Sequence, residues 1–330
     1  MDAHDAPLPA PDKQARRAIV AHAAVERDGP LPARIGDEIT RILGLVLRRI
    51  STEVEQLSYR QWQFRMPGKN RHARLQVAAG WLRIGLSMSR LPVSIDSKSI
   101  ANLLTGNARI KGGPRIIICP VRHERRLVID LPLEILPWDD EAELESLLAT
   151  AITSLGNALN KKPADAVRPT HRPLFCERLD SILEDDGWSV YRGEDDGLEV
   201  PLEVPGRHFT AAINLDDHGI HLRVPLFTEE FASASYPCRS ATTLMLCLAT
   251  SHLRMVKATG SRRRLGLEVS LPLAAVTAAL LLHGCAALSV ALQQLAAEAE
   301  LLIADRRLAK LYLSNPGFPK ATLAVSHSRR

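Results

Sequence analysis

The stretch Leu-Arg-Ile-Gly-Leu at residues 82–86 is matched by Leu-Arg-Val-Pro-Leu at residues 222–226. In both stretches apolar side chains occupy every second position, which is typical of a strand with one buried face. The two stretches lie 140 residues apart, and Leu-Pro-Leu at residues 131–133 recurs at residues 271–273 with the same spacing. The sequence therefore predicts one structural unit that is used twice.

Each unit is predicted to contain a helix, a three-strand meander, a second helix, two strands and a closing helix. In the first unit, residues 35–57 place apolar side chains at helical spacing, and alternating runs follow as far as Met88. In the second unit, residues 198–204 alternate most clearly. Asp139 and Asp140 are predicted to begin the closing helix of the first unit, because acidic side chains favour a helix N-terminus. The predicted fold class is α+β, as two tandem repeats packed in an intramolecular pseudo-dimer.

The predicted organisation follows from these repeats and from the prolines between them. Pro163 and Pro169 mark a linker, and the two ends of the chain lack a helical or alternating pattern. The predicted parts are a flexible leader (1–33), a first repeat (34–160), a linker (161–172), a second repeat (173–312) and a tail (313–330).

Composition limits the classes of function. The chain has 330 residues, of which 46% are hydrophobic and only 4% aromatic, with a net charge of +5. This excludes a fibrous or mainly disordered chain. Few aromatic residues also disfavour a surface on which sugars or bases stack. The basic residues occur as pairs and one triplet, so the sequence predicts no nucleic-acid partner.

The five cysteines point to a reduced environment. They are odd in number, and no two of them have the Cys-x-x-Cys spacing of a zinc or redox site. We therefore predict a cytoplasmic protein without a disulfide framework.

Residues 271–292 require a test for a membrane span. No charged residue lies between Glu268 and Glu298, and the segment is long enough to cross a bilayer. The matching helix of the first repeat carries five acidic residues within residues 139–145, and such a helix does not enter a bilayer. We therefore predict no membrane span, and expect this helix to be buried between the repeats or between two chains.

The sequence contains no recognisable catalytic motif. His218 and His221 flank a turn beside Asp216, but side chains on the two sides of a strand boundary need not converge on a metal. We predict no catalytic residue, no metal and no cofactor, and hence no enzyme.

The order of elements resembles the class I type III secretion chaperones and the related YbjN-like proteins. The resemblance covers most of the chain, as two copies, and implies an α+β unit that usually works as a homodimer. It also implies that a secreted effector's N-terminal segment is held extended for secretion, with a role in virulence. Family members are usually short and acidic, whereas this chain is doubled and basic. Two fused copies would imitate the usual dimer in one chain. The basic balance suggests either an acidic client segment or a partner different from that of the family.

Candidate partner-contacting residues lie on the alternating strands: Trp62, Phe64, Leu198, Val200 and Leu202. The same alternation is also expected of side chains that face the core. Leu82, Ile84, Leu222 and Val224 are predicted to be core residues.

Three functions remain open at this point. The first is a chaperone that captures an extended peptide through strand edges. The second is a YbjN-like structural or regulatory module that binds a folded protein, such as a component of a secretion apparatus. The third is an enzyme or nucleic-acid binder that uses the basic pairs. The expected assembly is a monomer with an internal pseudo-dimer, or a dimer formed through the helix at 271–292.

Overall fold

The computed structural model describes residues 33–78, 80–90, 97–119, 124–160, 178–193, 197–261, 263–272 and 276–314. Within these ranges the protein is mixed α+β, with eight α-helices and two antiparallel six-stranded sheets. Residues 33–160 are named the first half and residues 178–314 the second half. The predicted leader, linker and tail lie outside the described residues, apart from Ala33, Leu313 and Ser314.

Within its described residues the first half contains one sheet and three α-helices, and the first and third of these helices pack on the sheet. Its elements are α1 (Ala33–Ile50), β1 (Val54–Ser58), β2 (Gln61–Arg65), β3 (His72–Ala78), β4 (Trp81–Arg90), α2 (Ser97–Arg109), β5 (Arg115–Cys119), β6 (Glu124–Pro132) and α3 (Glu141–Leu159). The strand order is β1-β2-β3-β4-β6-β5. Asp140 caps α3 as predicted, because its carboxylate accepts hydrogen bonds from the backbone N–H groups of Ala142 and Glu143 at 3.0 Å.

The second half has a sheet of the same order. Its elements are α4 (Leu179–Asp185), β7 (Tyr191–Arg192), β8 (Leu198–Val204), β9 (Arg207–Leu215), β10 (Gly219–Pro225), α5 (Thr228–Ser233), α6 (Tyr236–His252), β11 (Lys257–Gly260), β12 (Leu265–Pro272), α7 (Ala278–Ala304) and α8 (Arg306–Ser314). The strand order is β7-β8-β9-β10-β12-β11. Counted within each half, both sheets read 1-2-3-4-6-5.

The predicted three-strand meander is wrong, because each sheet has a fourth meander strand, β1 or β7. Helix α1 ends at Ile50, so Val54 and Leu57 belong to β1 and not to the helix. The chain leaves the helix at Ser51, whose hydroxyl donates to the Arg65 carbonyl at 2.8 Å. Strand β1 was missed because it is an exposed outer strand and lacks a buried alternating face.

The second half also departs from the prediction. Helix α5 and the short strand β11 were not identified, and the apolar helix begins at Ala278 instead of residue 271. Leu271 and Pro272 complete β12, every residue of which is buried. A strand buried on both faces does not alternate between apolar and polar residues. The sequence therefore does not show where β12 ends and the apolar helix begins. The last strand of each sheet ends at a proline, Pro132 in β6 and Pro272 in β12.

The core of the second half extends into the first half. Leu82, Ile84, Leu222 and Val224 have no exposed surface, which confirms their assignment to the core. The larger core cluster belongs mainly to the second half, yet it includes three side chains of α2 from the first half. These are Ile100, Leu103 and Leu104. Helix α2 therefore packs into the core of the other half.

Candidate functional site

A groove separates α1 from β1 on the first half. It encloses a cavity of about 320 Å³, and its walls include Thr40, Gly44, Leu45, Tyr59 and Trp62. Leu45 is 37% exposed and Tyr59 is 47% exposed, so apolar surface is open to solvent at its rim. The Tyr59 hydroxyl lies 2.5 Å from a carboxylate oxygen of Asp37, which joins the turn after β1 to α1.

Strand β1 forms the free edge of the first sheet. Among the described strands it pairs with β2 alone, and four of its five residues are exposed. An outer strand leaves a row of backbone N–H and C=O groups without sheet partners. The pairing shifts between Gln56 and Ser58, so the regular part of this edge is short.

Trp62 forms the floor of the groove. Its side chain is only 1% exposed, but Gly44 of α1 lies above it without a side chain. A Cβ atom on Gly44 would lie 3.6 Å from the indole Nε1 of Trp62, which is ordinary van der Waals contact. Gly44 therefore lies directly over the indole, and a longer side chain at residue 44 would extend into the groove.

The structure places the predicted partner-contacting residues mostly in the cores. Phe64 has no exposed surface, Val200 has none, and Leu202 is 2% exposed. Leu198 is partly buried against the larger core. Of the predicted residues, Trp62 alone lines the groove. Residues of β2 and β8 lie in different sheets and are not brought together, because alternation identifies the buried face of a strand and not its accessible edge.

The other edge of each sheet is closed by the opposite half. The backbone N–H of Ile118 in β5 donates to the Ser251 hydroxyl of α6 at 2.9 Å. The Asn107 amide of α2 donates to the Ala258 carbonyl of β11 at 3.2 Å and accepts from the Ile116 N–H at 2.7 Å. Strands β5 and β11 are therefore unavailable to a partner.

A buried arginine connects the first sheet to the end of α6. Arg115 of β5 is 1% exposed and forms an ion pair with Asp130 at 2.9 Å. Its guanidinium also donates to the carbonyls of Thr250, Leu253 and Val256, the last at 2.8 Å. The first two carbonyls belong to the C-terminal end of α6, where a positive charge stabilises the helix.

A buried lysine makes the reciprocal connection. Lys257 of β11 is 1% exposed and pairs with Glu268 at 3.0 Å. Its ammonium group donates at 2.6 Å to the carbonyl of Ile110, directly after the last residue of α2. Each sheet thus supplies the cation that completes the C-terminal end of the other half's middle helix.

The acids in these two clusters occupy equivalent pairing positions. Arg83 lies opposite Asp130 across β4 and β6, and Arg223 lies opposite Glu268 across β10 and β12. Arg223 follows Arg83 by 140 residues, whereas Glu268 follows Asp130 by 138. The spacing of 140 residues between the two Leu-Pro-Leu sequences aligns Asp130 with Ser270. The correspondence between Asp130 and Glu268 is therefore visible only in the strand pairing.

The charges within the clusters stabilise one another. Burial lowers the pKa of Arg115 to about 10, although Asp130 opposes that shift. Burial alone would raise the pKa of Asp130, but the positive charges of Arg83, Arg115 and Arg254 hold it well below its usual range. Burial also lowers the pKa of Lys257, against the opposing effect of Glu268. Such an arrangement suits a fixed interface.

His221 adds a titratable group beside the lysine cluster. Its Nδ1 lies 3.1 Å from the Ser270 hydroxyl, and its Nε2 lies 3.3 Å from an Asp216 oxygen. Burial lowers the pKa of His221, although Asp216 and Glu268 oppose the shift and Lys257 adds to it.

The free energy of unfolding is expected to fall as the pH drops from 7 to 5.5. In this window the unfolded chain takes up a proton at residue 221 near its ordinary pKa of about 6.5, while the folded protein does so only at lower pH. The slope from one such group is at most about 1.4 kcal/mol per pH unit. Urea unfolding across this range should give a shallower slope for His221→Gln than for the exposed control His208→Gln. Equal slopes in both variants and the natural protein would contradict the role of His221.

Other chemistry-bearing groups do not assemble a site. Within the described ranges no three His, Cys, Asp or Glu side chains group as metal ligands. Burial raises the pKa of the Cys247 and Cys285 thiols to about 12, so neither is a reactive thiolate. Helix α7 is long and apolar enough to cross a membrane, but 61% of its most apolar window is buried inside the protein.

Comparison with protein-family models, curated proteins and solved structures finds no match to this chain.

Proposed function

We propose that this chain is a non-catalytic cytoplasmic chaperone that holds an extended segment of a partner protein, as class I type III secretion chaperones hold a secreted effector. The observation that carries this proposal is the free edge of β1 beside the open groove. An extended segment that adds to a sheet edge gains backbone hydrogen bonds, and pockets for alternate side chains give selectivity.

The groove fits the alternation of such a segment. Every second side chain of a strand added to β1 would point toward α1, where Leu45 and Tyr59 offer exposed apolar surface. Asp37, Arg41 and Arg48 also line the groove, so a polar group beside that side chain would meet charged partners. The groove therefore accepts an apolar side chain with a polar neighbour.

The proposal assigns binding to the first half. Strand β7, which occupies the β1 position in the second sheet, is only two residues long. Both residues of β7 are exposed, but a two-residue edge offers few backbone groups to a partner. The client is therefore expected to pair with β1.

We further propose that the halves are tandem repeats packed as an internal pseudo-dimer. The equal strand orders support it, as do the reciprocal contacts of Arg115 and Lys257. Helix α2 packs on β11, and α6 packs on β5. Because this contact is already made within one chain, the purified protein is expected to be a monomer. A stable dimer by light scattering would point instead to an intermolecular contact, such as α7.

The variant Gly44→Leu tests the proposed function. A leucine side chain at this helical position would fill the groove above Trp62, while removal of a helical glycine favours folding by up to about 1 kcal/mol. The full-length protein would be isolated from its own cells with its client, and the complex treated with protease. We expect one dominant client, protected in a single segment, that Gly44→Leu no longer retains.

The matched control is Gln294→Leu, which places a leucine on an exposed part of α7. It should retain the client as well as the natural protein does. Retention by Gly44→Leu would contradict binding in the groove. A client protected as a whole folded domain would favour the YbjN-like regulatory module instead.

A further inference from the structure

The outer face of the first sheet, opposite α1, carries a cleft of about 410 Å³. Its lining includes four arginines, Arg71, Arg74, Arg83 and Arg126, together with His72. These arginine residues and the strands that present them are named the cationic face. None of the described residues that line this cleft is acidic.

Gly85 of β4 is one of the residues that line this cleft. It pairs with Arg74 of β3 on one side and with Val128 of β6 on the other. A Cβ atom on Gly85 would lie 3.0 Å from Val128 Cγ1, which is tighter than usual packing. The missing side chain leaves room for Val128, which also lines the cleft.

The four arginines differ in whether a carboxylate of the described residues already pairs with them. Arg83 is paired with Asp130 at 2.6 Å, and Arg126 is paired with Glu124. Among the described residues, neither Arg71 nor Arg74 forms an ion pair with a carboxylate. These two guanidinium groups are therefore available to an anionic partner, and arginine is well suited to bind carboxylates through paired hydrogen bonds.

The remaining lining favours a peptide over a nucleic acid. Gln61, Gln63 and Gln76 surround the arginines with amide groups that can bond to a peptide backbone. The neighbouring aromatic residues Trp62 and Phe64 lie on the opposite face of the sheet and offer no surface for base stacking.

The second sheet does not share this charge. The outward-facing residues of β8 include Glu199 and Glu203, and those of β9 include His208, Thr210 and Asn214. Arg223 of β10 is paired with Glu268 at 2.8 Å. The positive charge is therefore a property of the first half, which is also the half with the longer free edge.

We propose that the cationic face binds an acidic stretch of the client polypeptide, rich in Asp or Glu and extended across β3 and β4. The inference rests on the proposed function, because it names the chemistry of the client. It assigns two contact regions to the client: the groove beside α1 for apolar side chains, and the opposite face of the sheet for carboxylates.

The test uses a short fluorescent peptide in which Glu alternates with Thr, and a matched peptide in which Gln replaces each Glu. We expect the full-length protein to bind the Glu peptide more tightly, and this affinity to fall with added salt. Arg71→Gln combined with Arg74→Gln should weaken binding of the Glu peptide roughly tenfold, as expected for two ion contacts near the protein surface. Arg109→Gln, an exposed arginine on α2, should have no effect.

Equal binding of the Glu and Gln peptides would overturn the inference. So would an effect of the double variant no larger than that of Arg109→Gln, or tighter binding of single-stranded DNA than of the Glu peptide. Because Gly44 lies on the other side of the sheet, Gly44→Leu should leave binding of the Glu peptide unchanged. A failure of the groove is thereby distinguished from a failure of the cationic face.

Discussion

Replacement of Arg115 by methionine is expected to lower the free energy of unfolding by about 3–5 kcal/mol. The substitution keeps most of the apolar volume of the side chain but removes a charge that is 1% exposed. Asp130 would keep Arg83 and Arg254 as partners but lose its pair with Arg115 at 2.9 Å. The carbonyls of Thr250, Leu253 and Val256 would lose their shared donor.

The matched control is Arg192→Met. Arg192 also pairs with an aspartate, Asp180, at 3.0 Å, but its side chain is 70% exposed. An exposed pair of this kind contributes about 0–1 kcal/mol. Urea unfolding followed by circular dichroism would give both values. A loss for Arg115→Met that is no larger than that for Arg192→Met would show that the buried cluster does not hold the halves together.

Arg115→Lys is also expected to destabilise the protein, although it keeps the positive charge. The guanidinium bonds at once to one carboxylate and three carbonyls, a set that the compact ammonium group of lysine cannot span. Recovery of full stability in this variant would indicate that charge alone accounts for the effect.

Replacement of Trp62 by alanine is expected to cost about 3–5 kcal/mol of unfolding free energy. Trp62 is 1% exposed and is among the largest fully buried side chains. Its removal would leave a cavity between α1 and the sheet in the smaller core cluster. This loss would be seen in the isolated protein, without any client.

Tyr191→Ala provides the comparison for an aromatic residue on an outer strand. Tyr191 of β7 is 62% exposed, so its removal should change stability by less than about 0.5 kcal/mol. A similarly small loss for Trp62→Ala would mean that Trp62 serves mainly as a contact for a partner. The Gly44→Leu variant then separates binding from stability, because it fills the groove without removing core volume.

The alternating strands and the capped helix could be predicted from sequence. Val200 and Leu202 alternate with exposed residues because β8 has one buried and one open face. Asp140 was recognisable because an aspartate before an apolar periodic run has one common role, the N-cap. These features depend on neighbours within a few residues.

The candidate site could not be predicted in the same way. The groove depends on Gly44 of α1 lying over Trp62 of β2, and a glycine in a helix carries no signal of what it leaves open. Strand β11 was missed because it is short and contains Lys257, which resembles a surface residue until its partner Glu268 is known. The free edge of β1 follows from the order of the whole sheet.

Each half supplies the cationic side chain at the C-terminal end of a helix in the other half, and this arrangement affects folding during synthesis. The ribosome completes the first half before the second half exists. At that stage Arg115 lacks the carbonyls of α6, and Ile100, Leu103 and Leu104 of α2 lack the core into which they pack. Exposed apolar surface on an incomplete chain favours aggregation. The nascent first half is therefore the species most in need of protection, and only synthesis of α6 and β11 ends that need.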